Sequence, residues 1–300
     1  MILKKGLVLQ LFLYVCVGFF IGSKSVNSQE EDSLMIEGLR FKTALKLLES
    51  VPSGKKLIDQ MKYKTNRQLS SGVAFSSFFQ WGQTSRTNAV LTRFYNPETG
   101  KEYRERQLSI YIKKKQSLVD LVLDLAHELT HATERPEWDP YDPELTLGKY
   151  IGSSIEGKGG EVDAVVMECK VASELRSQYA VLIPRCDRYR FHARKTITQD
   201  FYRVGIWKES LVKILGAEAG RFPVLSSLAP ALVSSTGDAP YPVALMAEFQ
   251  EITQIACKNS KDRLIRLSAH QKEQKNLIQS FLSGRCNGAK KSEGSNLGTM

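Results

Sequence analysis

His127 and His131 stand four residues apart around Glu128 in the stretch DLAHELTHATE, Asp124 to Glu134. On an α-helix, residues four apart are offset by only about 40° around the axis, so both imidazoles leave one face. Two imidazoles on one face can grip one cation, and zinc is the metal such nitrogens suit best. Glu128 points beside that face, close enough to reach a water on the metal without ligating it. A metal drives the pKa of its water towards neutrality, and the neighbouring carboxylate takes the proton as the oxygen attacks a carbonyl. The competing explanation is an amphipathic helix whose histidines only satisfy core hydrogen bonds. Two imidazoles that each need a partner are a costly way to build a Leu/Val-rich core. The spacing therefore favours the metal.

Two nitrogens do not complete a site, so a third ligand is required. Glu161 opens the next helical stretch, "GGEVDAVVMECKVASEL", thirty residues after His131. HExxH on a helix preceded by a strand, then a second helix beginning Glu-x-x-Ala, resembles the gluzincin branch of the zincin metallopeptidases. The resemblance covers about Leu108 to Tyr179. It implies that His127, His131 and Glu161 ligate Zn2+ and that Glu128 is the general base of a hydrolase cutting peptide bonds with a zinc-bound water. The pattern departs from the family at Val165, where many members carry an aspartate that orients a ligand histidine. Asp163 or Asp124 is the candidate for that support.

Other ligands stay open. Glu168 lies seven residues beyond Glu161 on the same helical face and could ligate or act from behind a ligand. Glu137 occupies the position of the last metzincin histidine, but Glu134 stands where that pattern needs glycine. Asp139 and Asp142 could ligate in an aspartate-type zincin. The loop Glu134 to Glu144, with five acids and one arginine, reads more simply as a solvated connection. An oxyanion donor is also needed. His192, Tyr179 and Tyr202 are candidates by position, none marked by a motif.

These residues need elements to hold them. Residues 31 to 65 read as helices with a break at Pro52-Ser53-Gly54. Strand character begins at Gly72 to Phe79 and continues through "NAVLTRFY" and "RQLSIYIK", which flank the turn-like Asn96 to Lys101 and pair as a hairpin. In the latter, Leu108, Ile110 and Ile112 alternate with Ser109, Tyr111 and Lys113, the period of a half-buried strand. Ser117, with Asp120 three residues on, resembles a capping box for the HExxH helix. Leu118, Val122, Leu125 and Leu129 form one stripe of that helix, and Asp120, Asp124, His127 and His131 another. Glu134 to Gly160 reads as loop, Glu161 to Tyr179 as helix, and the last hundred residues as mostly helical, interrupted at Ser234 to Pro242.

The expected fold is α+β: a small, mostly antiparallel zincin-like sheet backing the active-site helix, with N- and C-terminal helical regions. The resemblance further implies that Leu108 to Ile112 borders the cleft and pairs with extended substrate. The expected segments are a signal peptide at 1–28, an N-terminal helical segment at 29–71, a metallopeptidase-like core at 72–182, a helical C-terminal region at 183–287 and a disordered tail at 288–300.

The N-terminus carries Lys4 and Lys5, an apolar run from Gly6 to Gly22 and small residues before Gln29, so a signal peptide cleaved near Ser28/Gln29 is expected. An uncleaved membrane anchor is the alternative, although the run is short and Gln10 interrupts it. Removing this segment with its three lysines lowers the net charge from +10 to +7. An exported basic chain meets a protein or peptide substrate or an anionic envelope surface more readily than nucleic acid. The four cysteines beyond it, Cys169, Cys186, Cys257 and Cys286, suggest two disulfides in an oxidising periplasmic or secreted setting. Sequential pairing, Cys169 with Cys186 and Cys257 with Cys286, closes the shortest loops. The run Arg185 to Lys195 could receive an anion or form a disulfide-tethered turn. Besides an exported zinc metallopeptidase, two readings remain: a metal amidase on a cell-envelope polymer, and a non-catalytic envelope protein with a relict metal site.

Overall fold

The structure, a computed structural model, describes residues 38–68, 75–95, 102–136, 139–180, 182–189, 193–226, 228–234, 239–267 and 272–286. The signal-like segment 1–28, the turn Asn96 to Lys101, Glu137, His192 and the tail 288–300 lie outside the described residues. The chain is mixed α+β. Helix α1 covers described residues 38–49 and α2 spans Pro52–Gln68. Strands β1 (Phe79–Gly82), β2 (Arg86–Tyr95) and β3 (Glu102–Lys113) follow, then α3 (Leu118–Glu134), α4 (Leu147–Ile155) and α5 (Glu161–Tyr179). The C-terminal part holds α6 (Ala193–Phe201), α7 (Lys208–Leu215), α8 (Tyr241–Arg266) and α9 (Lys272–Phe281).

The sheet order is β1-β3-β2. β2 and β3 form the expected hairpin, with Thr87 opposite Ile110 and Ala89 opposite Leu108. β1 runs parallel to β3, with Phe79 opposite Ile110 and Trp81 opposite Ile112. The short connection Gln83 to Ser85 crosses the end of β3, where Lys113 donates its amide to the Ser85 hydroxyl at 3.0 Å. The first described strand starts at Phe79, after Phe75–Phe78 coils into a single 3-10 turn; Gly72 lies outside the described residues. β3 lies in the middle of the sheet. At Ile110 and Tyr111 strands occupy both its edges, so these residues have no open edge for a substrate strand.

Alternation along β3 buries Ile110 and Ile112 against α3. That helix is sandwiched between the sheet, α2 and α5, so it is buried on more than the one predicted stripe. Leu121, Leu123 and Ala126 are buried along with Val122, Leu125 and Leu129. Its buried threonines are satisfied locally: the Thr130 hydroxyl donates to Ala126 O at 2.8 Å and the Thr133 hydroxyl to Leu129 O at 2.7 Å. Ser117 caps the helix by accepting from the Asp120 amide at 3.0 Å. The Asp120 carboxylate accepts a hydrogen bond from the Ser117 hydroxyl, a variant of the capping box.

Two hydrophobic clusters flank the histidines. One joins α1, α2, β3, α3 and the C-terminal half of α5. The other joins α4, Val162 at the start of α5, α6, α7 and the first turns of α8. Each fully buried Leu or Ile contributes roughly 1.5–3 kcal/mol to this packing. The break between α1 and α2 falls at Ser50 and Val51, and Pro52 opens α2 instead of ending a helix. Glu174 of α5 clamps that start, accepting from the Ser53 amide at 2.9 Å and its hydroxyl at 2.6 Å.

Helix α4 lies inside the stretch expected as loop. Thr146 caps it, and it buries Tyr150, Ile151 and Ile155 in the second cluster or against α8. The cysteines pair sequentially, Cys169 with Cys186 and Cys257 with Cys286. The first tethers α5 to the 3-10 turn Pro184–Tyr189; the second ties α8 to the π-helical turn Leu282–Cys286 that follows α9.

Candidate metal centre

α3 and α5 lie side by side and present their polar residues to each other. His127 Nε2 is 3.3 Å from Glu161 Oε2, and His131 Nε2 is 3.4 Å from Glu161 Oε1. One carboxylate thus faces both imidazoles, and the three ligand atoms lie within 4.8 Å of one another, a group that could hold a metal ion. The rings meet edge to face with centroids 4.8 Å apart. Both histidines turn Nε2 inward because Nδ1 is committed elsewhere. His131 Nδ1 donates to Gly159 O at 2.8 Å, and His127 Nδ1 donates to Glu168 Oε2 at 3.2 Å. Both partners are acceptors, so each Nδ1 keeps its proton and each Nε2 is the nitrogen left to face Glu161 and to serve a metal.

Gly159 is required where it stands. Its φ is 65°, and a Cβ there would lie 2.3 Å from the Arg135 amide nitrogen. Asp163 accepts from the Gly159 amide at 2.9 Å and pairs with Arg194. It therefore supports His131 through the backbone rather than by touching the ring. Arg135 reaches Glu161 Oε1 at 3.6 Å and donates to Ser154 O at 3.3 Å.

Glu128 is 4% exposed and faces the sheet. Cross-strand partners share a face, so Thr87, opposite Ile110, points at α3. Its hydroxyl lies 2.7 Å from Glu128 Oε2 and 3.0 Å from Glu128 O. Thr87 carries no sequence signal, since only its register opposite β3 reveals it.

Burial pushes the Glu128 pKa above its ordinary value, with the His127 and His131 charges and the Thr87 hydroxyl offsetting part of the rise. Burial opposes charge on His127, but hydrogen bonds to Glu161 and Glu168 and the charges of Glu161 and Glu128 outweigh it and hold its pKa well above the usual range. Burial likewise opposes charge on Glu161, and the two histidines outweigh it to hold its carboxyl well below the usual range. Without metal, a protonated imidazole fills the cation's role.

The other candidates fall elsewhere. Tyr202 is fully buried, its hydroxyl donating to Glu156 at 2.7 Å. Tyr179 bonds Ser50 at 3.0 Å, at the opposite end of α5 from Glu161. Asp139 and Asp142 accept from the amides of Tyr141 and Glu144, closing their own turns, as a solvated connection requires. In the basic run, Arg185 pairs with Glu168 and Asp124, Arg188 with Asp200 and Arg194 with Asp163, so these three arginines already hold acids of this chain.

Sequence reasoning passed over Tyr241. It opens α8, and its ring meets Phe201 edge to face at 4.7 Å beside the start of α5. The Glu161 charge, then burial, then the Glu128 charge push its pKa far up, so the hydroxyl keeps its proton.

No family model, curated protein or solved structure matches the chain. What the fold and site define is a class by chemistry: an α+β protein with a His–His–Glu cluster able to hold a metal ion. Its two disulfides fit an oxidising, exported location. Among the described residues no helix is long and apolar enough to cross a membrane.

Proposed function

We propose that this chain is an exported zinc-dependent metallopeptidase that hydrolyses peptide bonds, with His127, His131 and Glu161 holding the ion and Glu128 acting as general base. The observation that carries the reading is the separation of the paired atoms. Ligand atoms about 2.0–2.1 Å from a tetrahedral zinc ion lie roughly 3.3–3.4 Å from one another. The two Nε2 atoms stand 3.3 and 3.4 Å from the two Glu161 oxygens, separations that serve hydrogen bonding in the metal-free pair and also suit a shared cation. Two neutral imidazoles and one carboxylate also match the donor set of a catalytic zinc, which keeps a further position open.

When bound, the ion supplies a Lewis acid that acidifies water and polarises a carbonyl. The remaining work falls to this chain's side chains. Glu128 takes the proton of the attacking water and passes it to the leaving amine, and burial has moved its pKa towards neutral pH for that exchange. Thr87 fixes one oxygen of the base. Tyr241, which packs on Phe201 at the head of α8 and is kept protonated by the Glu161 charge and burial, is a candidate donor to the oxyanion. A base that is oriented and tuned in this way favours an enzyme over a relict metal site.

The test is hydrolysis of casein and of purified cell-wall peptide by the oxidised, zinc-loaded protein, with Glu128→Gln as control. Casein cleavage that the control lacks supports the peptidase. Cleavage of wall material alone moves the activity to the envelope amidase. Activity on neither substrate counts against an enzyme.

A further inference from the structure

Glu168 is 3% exposed and donates nothing; it accepts from His127 Nδ1 at 3.2 Å. A carboxylate buried so deeply needs a counter-charge as well as a hydrogen-bond donor. Arg185 supplies it at two points, Nε to Oε1 at 2.7 Å and Nη2 to Oε2 at 3.3 Å. The same guanidinium reaches across to α3, where its Nη1 donates to Asp124 Oδ1 at 2.7 Å. Asp124 sits three residues before His127 and receives the Ser85 hydroxyl on its other oxygen. Arg185 therefore bridges α3 and α5 directly behind the first histidine.

Arg185 belongs to neither helix. It lies on the 3-10 turn Pro184–Tyr189, beyond the end of α5. The turn is brought back along α5 by Cys169–Cys186, whose two cysteines are the next residues after Glu168 and Arg185. Cys186 is buried, and Cys169 packs against both main hydrophobic clusters. Arg176 adds a second tie, donating to Ile183 O and Asp187 Oδ1, each at 2.8 Å. The other disulfide, Cys257–Cys286, lies in a separate cluster with Ala256 and Phe281.

We propose that Arg185 is a positioning residue of the metal centre, acting through Glu168 on His127, and that the Cys169–Cys186 disulfide holds it there. The inference rests on the metal reading above. With Glu168 fixed, Nδ1–H of His127 stays committed and Nε2 stays turned towards Glu161, the position from which it can ligate. With Arg185 released, the imidazole is free to turn or change tautomer.

The experiment measures the zinc dissociation constant of the full oxidised chain by chelator competition, with zinc alone as the probe. Arg185→Ala, Arg185→Lys, the Cys169→Ser/Cys186→Ser pair and the Cys257→Ser/Cys286→Ser pair are compared, with near-UV circular dichroism reporting the fold. Arg185→Ala and the first cysteine pair weaken zinc about 10- to 100-fold, while the second pair stays within about twofold. Methylguanidine restores affinity to Arg185→Ala but not to the first cysteine pair, a readout that general destabilisation does not produce. Because Arg185 is 41% exposed, its truncation leaves the core packed; should it still unfold, Arg185→Lys, which keeps the charge but loses the two-point contact, binds zinc with intermediate affinity. Tight zinc binding in the parent with no loss in the Arg185 variants, or equal loss in both cysteine pairs, overturns the inference and leaves the metal reading standing. No zinc binding by the parent overturns both.

Discussion

Thr87 holds Glu128 Oε2 at 2.7 Å across 41 residues of sequence. The orientation of the proposed base is therefore set by the register of the β2–β3 hairpin as much as by helix α3. The Thr87 hydroxyl lowers a pKa that burial has raised. Thr87→Val removes that opposition and the Glu128 pKa rises further. Since Glu128 works ionised, the acid limb of kcat/KM against pH moves to higher pH in this variant. A limb that stays in place contradicts the role given to the contact.

Glu128 touches no zinc ligand position, so Glu128→Gln separates binding from chemistry. The variant keeps zinc with a dissociation constant close to that of the parent and loses about 10²- to 10⁴-fold in kcat. Zinc content and steady-state hydrolysis measured on one preparation check both halves. An active glutamine variant removes Glu128 from the mechanism.

Tyr241→Phe deletes one hydroxyl from a part-buried ring that packs on Phe201. The phenyl ring keeps that packing, so the melting temperature changes little. If the hydroxyl serves the oxyanion, kcat falls about 10²- to 10³-fold with KM nearly unchanged. A change confined to KM makes Tyr241 a substrate contact instead.

The charge pair at the site ties stability and metal uptake to pH. His127 has a raised pKa in the folded chain, so its contribution is fully present below its ordinary 6.5 and is lost as pH rises through the folded value. Glu161 has a lowered pKa, so its contribution is present above its ordinary 4.5 and is lost as pH falls through the folded value. The metal-free protein thus holds both contributions between 4.5 and 6.5 and loses the His127 share as pH rises through its raised folded value. Zinc must displace the His127 proton, so uptake at a pH below the raised folded value releases about one proton. Calorimetric titrations in two buffers of different ionisation enthalpy read that number, and no proton release contradicts the pairing.

Much of this centre was legible because its signals are local. The spacing of His127 and His131 on a capped helix, and Glu161 at the head of the next, need only helical periodicity. The cysteine pairing followed from short loop closure. Helix α4 was hidden because Gly148, Gly152 and the prolines before it read as loop; its nine residues are held by burying Tyr150, Ile151 and Ile155 rather than by propensity. Thr87 and Arg185 reach the site through strand register and a disulfide-tethered turn. None of these contacts leaves a period or motif. Val165, read as a missing support, is replaced by Glu168 one helical turn further along, braced by an arginine that the basic run had suggested for another purpose.

The most direct test of the centre is a zinc titration of the oxidised chain beside Glu161→Ala. The parent takes up one equivalent tightly, and the variant loses more than the roughly 10- to 100-fold that outer-shell changes cost. A parent that binds no zinc, or a variant that binds it as tightly as the parent, contradicts the shared role of His127, His131 and Glu161.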